Sequence, residues 1–148
     1  MELSNLVIAT GIARPGMTVG EVFSECVRAD VPGIPFQAAD GRITGKVSIR
    51  HILKETCIPH FMVKHAHLLG DDMRHLGISK EYVSEVLALE IDEYVLPKIA
   101  VVNSNTAISK ALAVMEGADT SYLFVMDDGT YRGVVSIVGI ARTMLESG

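Results

Sequence analysis

Ser48, Arg50 and His51 place a hydroxyl, a guanidinium and an imidazole within four consecutive residues. That set can hold a phosphate ester: Arg through charge-assisted hydrogen bonds, Ser by donating its O–H, and a neutral imidazole by accepting one bond. Ser136 repeats the hydroxyl 88 residues later, with Gly139 where His51 stands. A Ser beside a His also has the makings of a nucleophile and base, but no third group that would orient the imidazole is evident. Neither a Gly-x-Ser-x-Gly elbow nor a Walker loop occurs, so the chain is not expected to be an enzyme. Each polar residue has a plainer use as well. Ser48 and Ser136 are suited to cap the helices that follow them, and Arg50 suits a solvated helix face.

A second cluster is the histidines His60, His65, His67 and His75. His67, Asp71 and His75 recur every four residues and would share one helical face, the arrangement a metal site needs. His67 and Asp71 equally suit an ordinary i, i+4 pair. Without a His-x-x-x-His pair or a cysteine set, no metal is expected. Cys26 and Cys57 lack metal spacing and read as reduced, mostly structural thiols.

The elements that must position the hydroxyls come in two copies. Gly45-Lys46-Val47-Ser48-Ile49-Arg50-His51-Ile52 recurs as Gly133-Val134-Val135-Ser136-Ile137-Val138-Gly139-Ile140, and at the same offset Phe36 falls on Phe124 and Asp40-Gly41 on Asp128-Gly129. Each copy reads as strand, Asp-Gly turn, strand, helix. Upstream, Thr18-x-x-Glu21 has the form of a capping box, opening a helix whose face is Val19, Val22, Phe23 and Cys26. Ile108, Ala111, Leu112 and Met115 repeat that face at an offset of 89, and a loop between helix and strand is expected to absorb the extra residue. Leu6–Ala9 is a short apolar lead-in that suits either a strand or the end of a leading helix, and Ile99–Val102 reads as a strand. Each unit is therefore expected to be β-α-β-β-α, and two units should close one shared core.

With Gly33-Ile34-Pro35, Asp40-Gly41 and Gly45-x-Val47-Ser48, the chain resembles the cystathionine-β-synthase (CBS) domain, and its two copies resemble the tandem arrangement called a Bateman module. The resemblance covers roughly residues 10–54 and 96–146. It implies an α+β fold: two CBS repeats, residues 1–54 and 96–148, packed as a pseudo-symmetric pair around a helical insert at 55–95. It further implies a regulatory module that binds an adenosine-containing ligand, of the AMP/ADP/ATP or S-adenosylmethionine class, in a cleft between repeats. The residues so implied are Ile12, Ile34, Pro35, Ser48, Arg50, His51, Tyr122, Ser136 and Gly139. The family's Gly-x-x-Ser/Thr-x-x-Asp run ends here in His51 and Gly139 instead of Asp, so the first cleft is expected to bind better than the second. No cofactor is required.

Composition bounds the remaining classes. The 148 residues, 49% of them hydrophobic, suffice for one compact core. A net charge of −5 argues against broad nucleic-acid binding, no apolar run is long enough to span a bilayer, and the start lacks the features of a signal peptide. A cytoplasmic protein is expected. In the insert, Phe61, Leu68, Leu69, Met73 and Leu76 suggest one helix, and Ser79 caps a second carrying Tyr82, Val83, Val86, Leu87 and Leu89. Those apolar faces need cover, which favours a homodimer and an unidentified regulated partner. The competing reading is a ligand-free interaction module that docks a partner through the insert.

Overall fold

The structure, a computed structural model, describes residues 1–59 and 77–148. In the first half a 3-10 turn at Leu3–Leu6 precedes α1 (Val19–Ala29), β1 (Gly33–Gln37), β2 (Ile43–Ser48) and α2 (Ile49–Cys57). Helix α3 (Lys80–Ala88) and a second 3-10 turn, Ile91–Tyr94, lead into β3 (Val101–Val102), α4 (Ile108–Gly117), β4 (Tyr122–Asp127), β5 (Thr130–Ser136) and α5 (Ile137–Ser147). The α+β expectation holds. One sheet is the antiparallel pair β1–β2, the other runs β3–β4–β5.

Local chemistry accounts for the helix starts. Thr18 Oγ1 accepts from the Glu21 N–H at 3.1 Å, although the Glu21 carboxylate takes the Thr18 hydroxyl rather than completing the box on the backbone. Ser79 Oγ accepts from the Tyr82 N–H at 3.1 Å. Helix α4, by contrast, starts at Ala107 without a side-chain cap; the Asn103–Thr106 turn closes on itself instead, Asn105 N–H donating to Asn103 Oδ1 at 2.9 Å. The first helix expected in the insert, with its histidines, falls at residues outside the described ones.

The leading strand of the first repeat is reduced to single bridges. Ala13 pairs in parallel with Phe36, as Val102 does with Val125. Ile8 pairs antiparallel with Val134 of β5, and its counterpart Leu96 pairs with Lys46 of β2. Each lead-in therefore crosses to the other repeat's sheet. The repeated glycine makes the crossing possible: a Cβ on Gly45 would overlap the Leu96 carbonyl, and one on Gly133 would overlap that of Ile8. Leu3 and Leu6 accordingly pack with Val102, Leu123, Val135 and Ile140 of the second repeat.

Register corrects the alignment read from the sequence. Gly33 lies opposite Ser48 and Tyr122 opposite Ser136, so β1 matches β4 at an offset of 89, while β2 matches β5 at 88. Phe36 corresponds to Val125, not to Phe124. The extra residue sits in the hairpin turn, not between helix and strand. The second turn is the two-residue Asp128-Gly129, both at positive φ (52° and 79°), the tight form that suits hairpin twist. The first is a longer loop closed by Ala38 N–H to Arg42 O at 2.8 Å, and it reuses Asp-Gly in a different geometry. Strand β4 is buried on both faces: Tyr122 and Phe124 join the core built on α1, β1 and β2, while Leu123 and Val125 join the other.

Candidate functional site

In β2, Val47 is fully buried, so the alternation of the pleat sends Lys46 to the opposite face. Its ammonium stands 5.1 Å from the centroid of the Tyr122 ring. Ser48 then leaves the strand as the N-cap of α2, its Oγ accepting from the His51 N–H at 3.1 Å. That bond uses the oxygen and leaves the hydroxyl hydrogen free to donate. An imidazole contact that would activate Ser48 as a nucleophile is not among the hydrogen bonds of the described residues. Arg50 and Lys54 lie one turn apart on the exposed side of α2, with His51 half-buried beside them.

These residues form one wall of a cleft of about 530 Å3 between the repeats. The second repeat supplies the other wall from the end of α4: Glu116, Asp119, Thr120 and Ser121, with Tyr122 and Leu96 alongside. Helix α4 ends in a reversal closed by Thr120 N–H to Met115 O at 3.0 Å. Asp119 occupies the left-handed position of that reversal, φ 51°, which Asp tolerates better than most residues. The cleft thus carries three cations from one repeat and two exposed carboxylates from the other. Burial lowers the Lys46 pKa from its ordinary value and raises that of the Tyr122 phenol, because each charged form loses hydration.

A pseudo-equivalent cleft of about 370 Å3 lies on the other side. Ser136 caps α5 through the Gly139 N–H at 3.0 Å, and the walls are Ile137, Val138 and Arg142 against Ala29, Asp30 and Val31. Pro32 and Ser121 border both clefts. The positions of the second repeat that match Lys46, Arg50 and His51 are the buried Val134, then Val138 and Gly139, and of these only Val138 lines the second cleft.

Of the residues expected from the sequence, Ser48, Arg50, His51 and Tyr122 come together in the first cleft, and Ser136 lines the second. Ile34 and Pro35 are buried in β1, Ile12 is half-buried before α1, and these three, with Gly139, do not line either cleft. Gly139 contributes its backbone N–H to the Ser136 cap. Sequence reasoning passed over Lys46 and Lys54, which were legible: Lys46 alternates with Val47, and Lys54 is one turn beyond Arg50. It also passed over Asp119 and Glu116, which no local signal connects to Ser48.

Residues 91–146 match the family model of the CBS domain. The second half of the chain carries a CBS domain. No curated protein matches it. Solved structures of the same fold include a CBS domain-containing protein of unknown function from Bacillus anthracis, at 14% identity and TM-score 0.64, covering 100% of this chain and 95% of that one. The CBS-domain protein ATU1752 from Agrobacterium tumefaciens aligns at 14% identity and TM-score 0.61, covering 97% and 92%. The CBS domain pair of protein MJ0100, solved in complex with 5′-methylthioadenosine and S-adenosyl-L-methionine, aligns at 11% identity and TM-score 0.65, covering 100% and 98%. At these identities the likeness carries the fold of a CBS pair. Among the described residues, no helix is long and apolar enough to cross a membrane, and no group of three His, Cys, Asp or Glu is placed to hold a metal ion.

Proposed function

We propose that the chain is a cytoplasmic, non-catalytic regulatory module that binds an adenosine-containing ligand in its first inter-repeat cleft, with 1–54 and 96–148 as the two repeats and 55–95 as the insert. The observation that carries this reading is the composition of that cleft: a capping hydroxyl, an imidazole and cations from one repeat face carboxylates from the other. Asp119 can accept both hydroxyls of a ribose diol, the task His51 performs less well, while Ser48, Arg50 and the N-terminus of α2 suit a phosphate. The adenosyl ligands in the MJ0100 pair support the same class. A ligand touching both walls ties the repeats together, which gives occupancy a route to a partner.

The test is thermal unfolding of the purified chain with AMP, ATP or S-adenosylmethionine. A ligand at a hundred times its Kd adds about 2.7 kcal/mol to the folded state, or roughly 5–10 °C for a chain near 150 residues. No shift with any adenosyl compound would refute the reading. Exposed apolar side chains favour a second activity, self-association or docking: Val138, Met144 and Leu145 on α5, and Val83 and Leu87 on α3. We place a homodimer interface among them, with the regulated protein unidentified.

A further inference from the structure

Lys46 is unlike the other charged groups of the first cleft. Arg50, Lys54, Glu116 and Asp119 are exposed, so water compensates them, whereas Lys46 is half-buried. Among the described residues the ion pairs are Arg28–Glu25, Arg42–Asp40 and Arg132–Asp127, and Lys46 is in none of them. The Tyr122 ring offsets part of the lost hydration by a cation–π contact. The remaining face of the ammonium borders the cleft, with Arg50 and Lys54 on the same wall. A partly desolvated cation without a carboxylate partner gains most from an anion that enters with the ligand.

We propose that Lys46 is a specificity-determining residue that makes the first cleft select adenosine ligands bearing a phosphate chain, di- and triphosphates, over the uncharged thioether and the cationic sulfonium. The inference rests on the proposed adenosine site and names its ligand within that class. Anions longer than one phosphate reach Lys46, Arg50 and Lys54 together, while the carboxylates across the cleft repel a second anionic end and so orient the ligand with its ribose toward Asp119. The sulfonium of S-adenosylmethionine brings a positive charge to a wall that already holds three.

Titration calorimetry of the full chain with ADP, ATP, 5′-methylthioadenosine, S-adenosylmethionine and inorganic triphosphate tests this. The expected result is ADP and ATP binding at least about tenfold tighter than methylthioadenosine, the worth of one charge-assisted hydrogen bond. Lys46→Met keeps the apolar stem and should remove about that factor for ATP while leaving methylthioadenosine within about twofold. Affinity for ATP should also fall with added salt. Adenosyl ligands that bind without regard to charge, or a Lys46→Met variant that weakens all of them equally, would overturn the proposal and leave the adenosine site standing. Inorganic triphosphate bound through Lys46 with no adenosyl ligand bound would overturn the adenosine site and leave Lys46 as an anion site; binding of neither would end both. A Lys46→Arg variant that restores the ATP preference separates charge from mere packing, and its failure to do so counts against the proposal.

Discussion

The crossing of the lead-ins depends on Gly45 and Gly133, and a single methyl group tests it. In Gly45→Ala the new Cβ overlaps the Leu96 carbonyl and stands 2.9 Å from Val95 Cγ1. Relief requires moving Leu96 away from β2, which sacrifices Lys46 N–H to Leu96 O at 2.8 Å and Leu96 N–H to Lys46 O at 2.9 Å. Two backbone bonds at about 1 kcal/mol each and an overpacking cost of about 1–3 kcal/mol exceed the roughly 0.5–1 kcal/mol that Ala gains over Gly in a strand. The expected loss is about 3 kcal/mol, or roughly 6–12 °C in Tm. Gly133→Ala meets the Ile8 backbone in the same way and adds a positive φ of 154°, so it should cost about 1–2 kcal/mol more. Gly117→Ala, in α4 with nothing within 4 Å of the new carbon, is the control and should be neutral or up to about 1 kcal/mol stabilising. Urea denaturation measures all three. A Gly45→Ala protein within about 0.5 kcal/mol of the parent, the spread of an ordinary surface change, would refute the crossing as the reason for the repeated glycine.

Ser48→Ala and Ser136→Ala should each cost about 1 kcal/mol in denaturation through the lost cap, but only Ser48→Ala should weaken nucleotide binding in calorimetry; equal weakening would contradict the inequality of the clefts. The Arg28 guanidinium and the Gly11 N–H hold the Glu25 carboxyl at about 2 against an ordinary 4.5. Its stabilisation is therefore complete above pH 4.5 and lost as pH falls toward 2, and Glu25→Gln should flatten the dependence of Tm on pH in that window. Sedimentation at micromolar concentration should give twice the chain mass, and Leu145→Glu on the exposed side of α5 should shift it to the monomer; a monomeric parent would remove the dimer.

Hairpins, most caps and the face of α1 were legible because each is encoded within a few residues, whereas α4 lacks a side-chain cap and leaves Leu112 of its expected face exposed. Ser48, Ser79 and Thr18 all cap where a short polar side chain precedes an apolar run, and β2 has the bounds that its alternation suggests. Two things were not legible. The duplicated Asp-Gly gave an alignment that is off by one in β1, because the same dipeptide serves a two-residue turn in one repeat and a longer loop in the other, and only strand register separates them. The far wall of the cleft was invisible for a different reason: Asp119 lines the same cleft as Ser48 only once the two repeats are packed together, an arrangement that nothing near either residue specifies. The Leu6–Ala9 lead-in makes no strand because Ile8 forms only an isolated bridge to β5, whereas Ile99–Val102 keeps Val101–Val102 as β3 beside β4.

The one-residue difference between the hairpins makes Gly33 and Tyr122 register equivalents, and they meet: a Cβ on Gly33 would lie 2.5 Å from the Tyr122 hydroxyl. The largest side chain of the pair occupies the space that the smallest leaves, so the ring enters the first repeat's core and forms a surface beside Lys46. The reverse arrangement is impossible, since Gly33 has nothing to offer the second cleft. Symmetry is therefore broken at the junction itself, before any difference among polar residues counts, and Lys46 opposed by Val134 extends the break outward. If ligand binds only where the ring and the cations are, each chain holds one ligand and its own saturation is hyperbolic. Any steepness in the response to nucleotide must then arise between chains, and it should vanish in a variant such as Leu145→Glu that holds them apart.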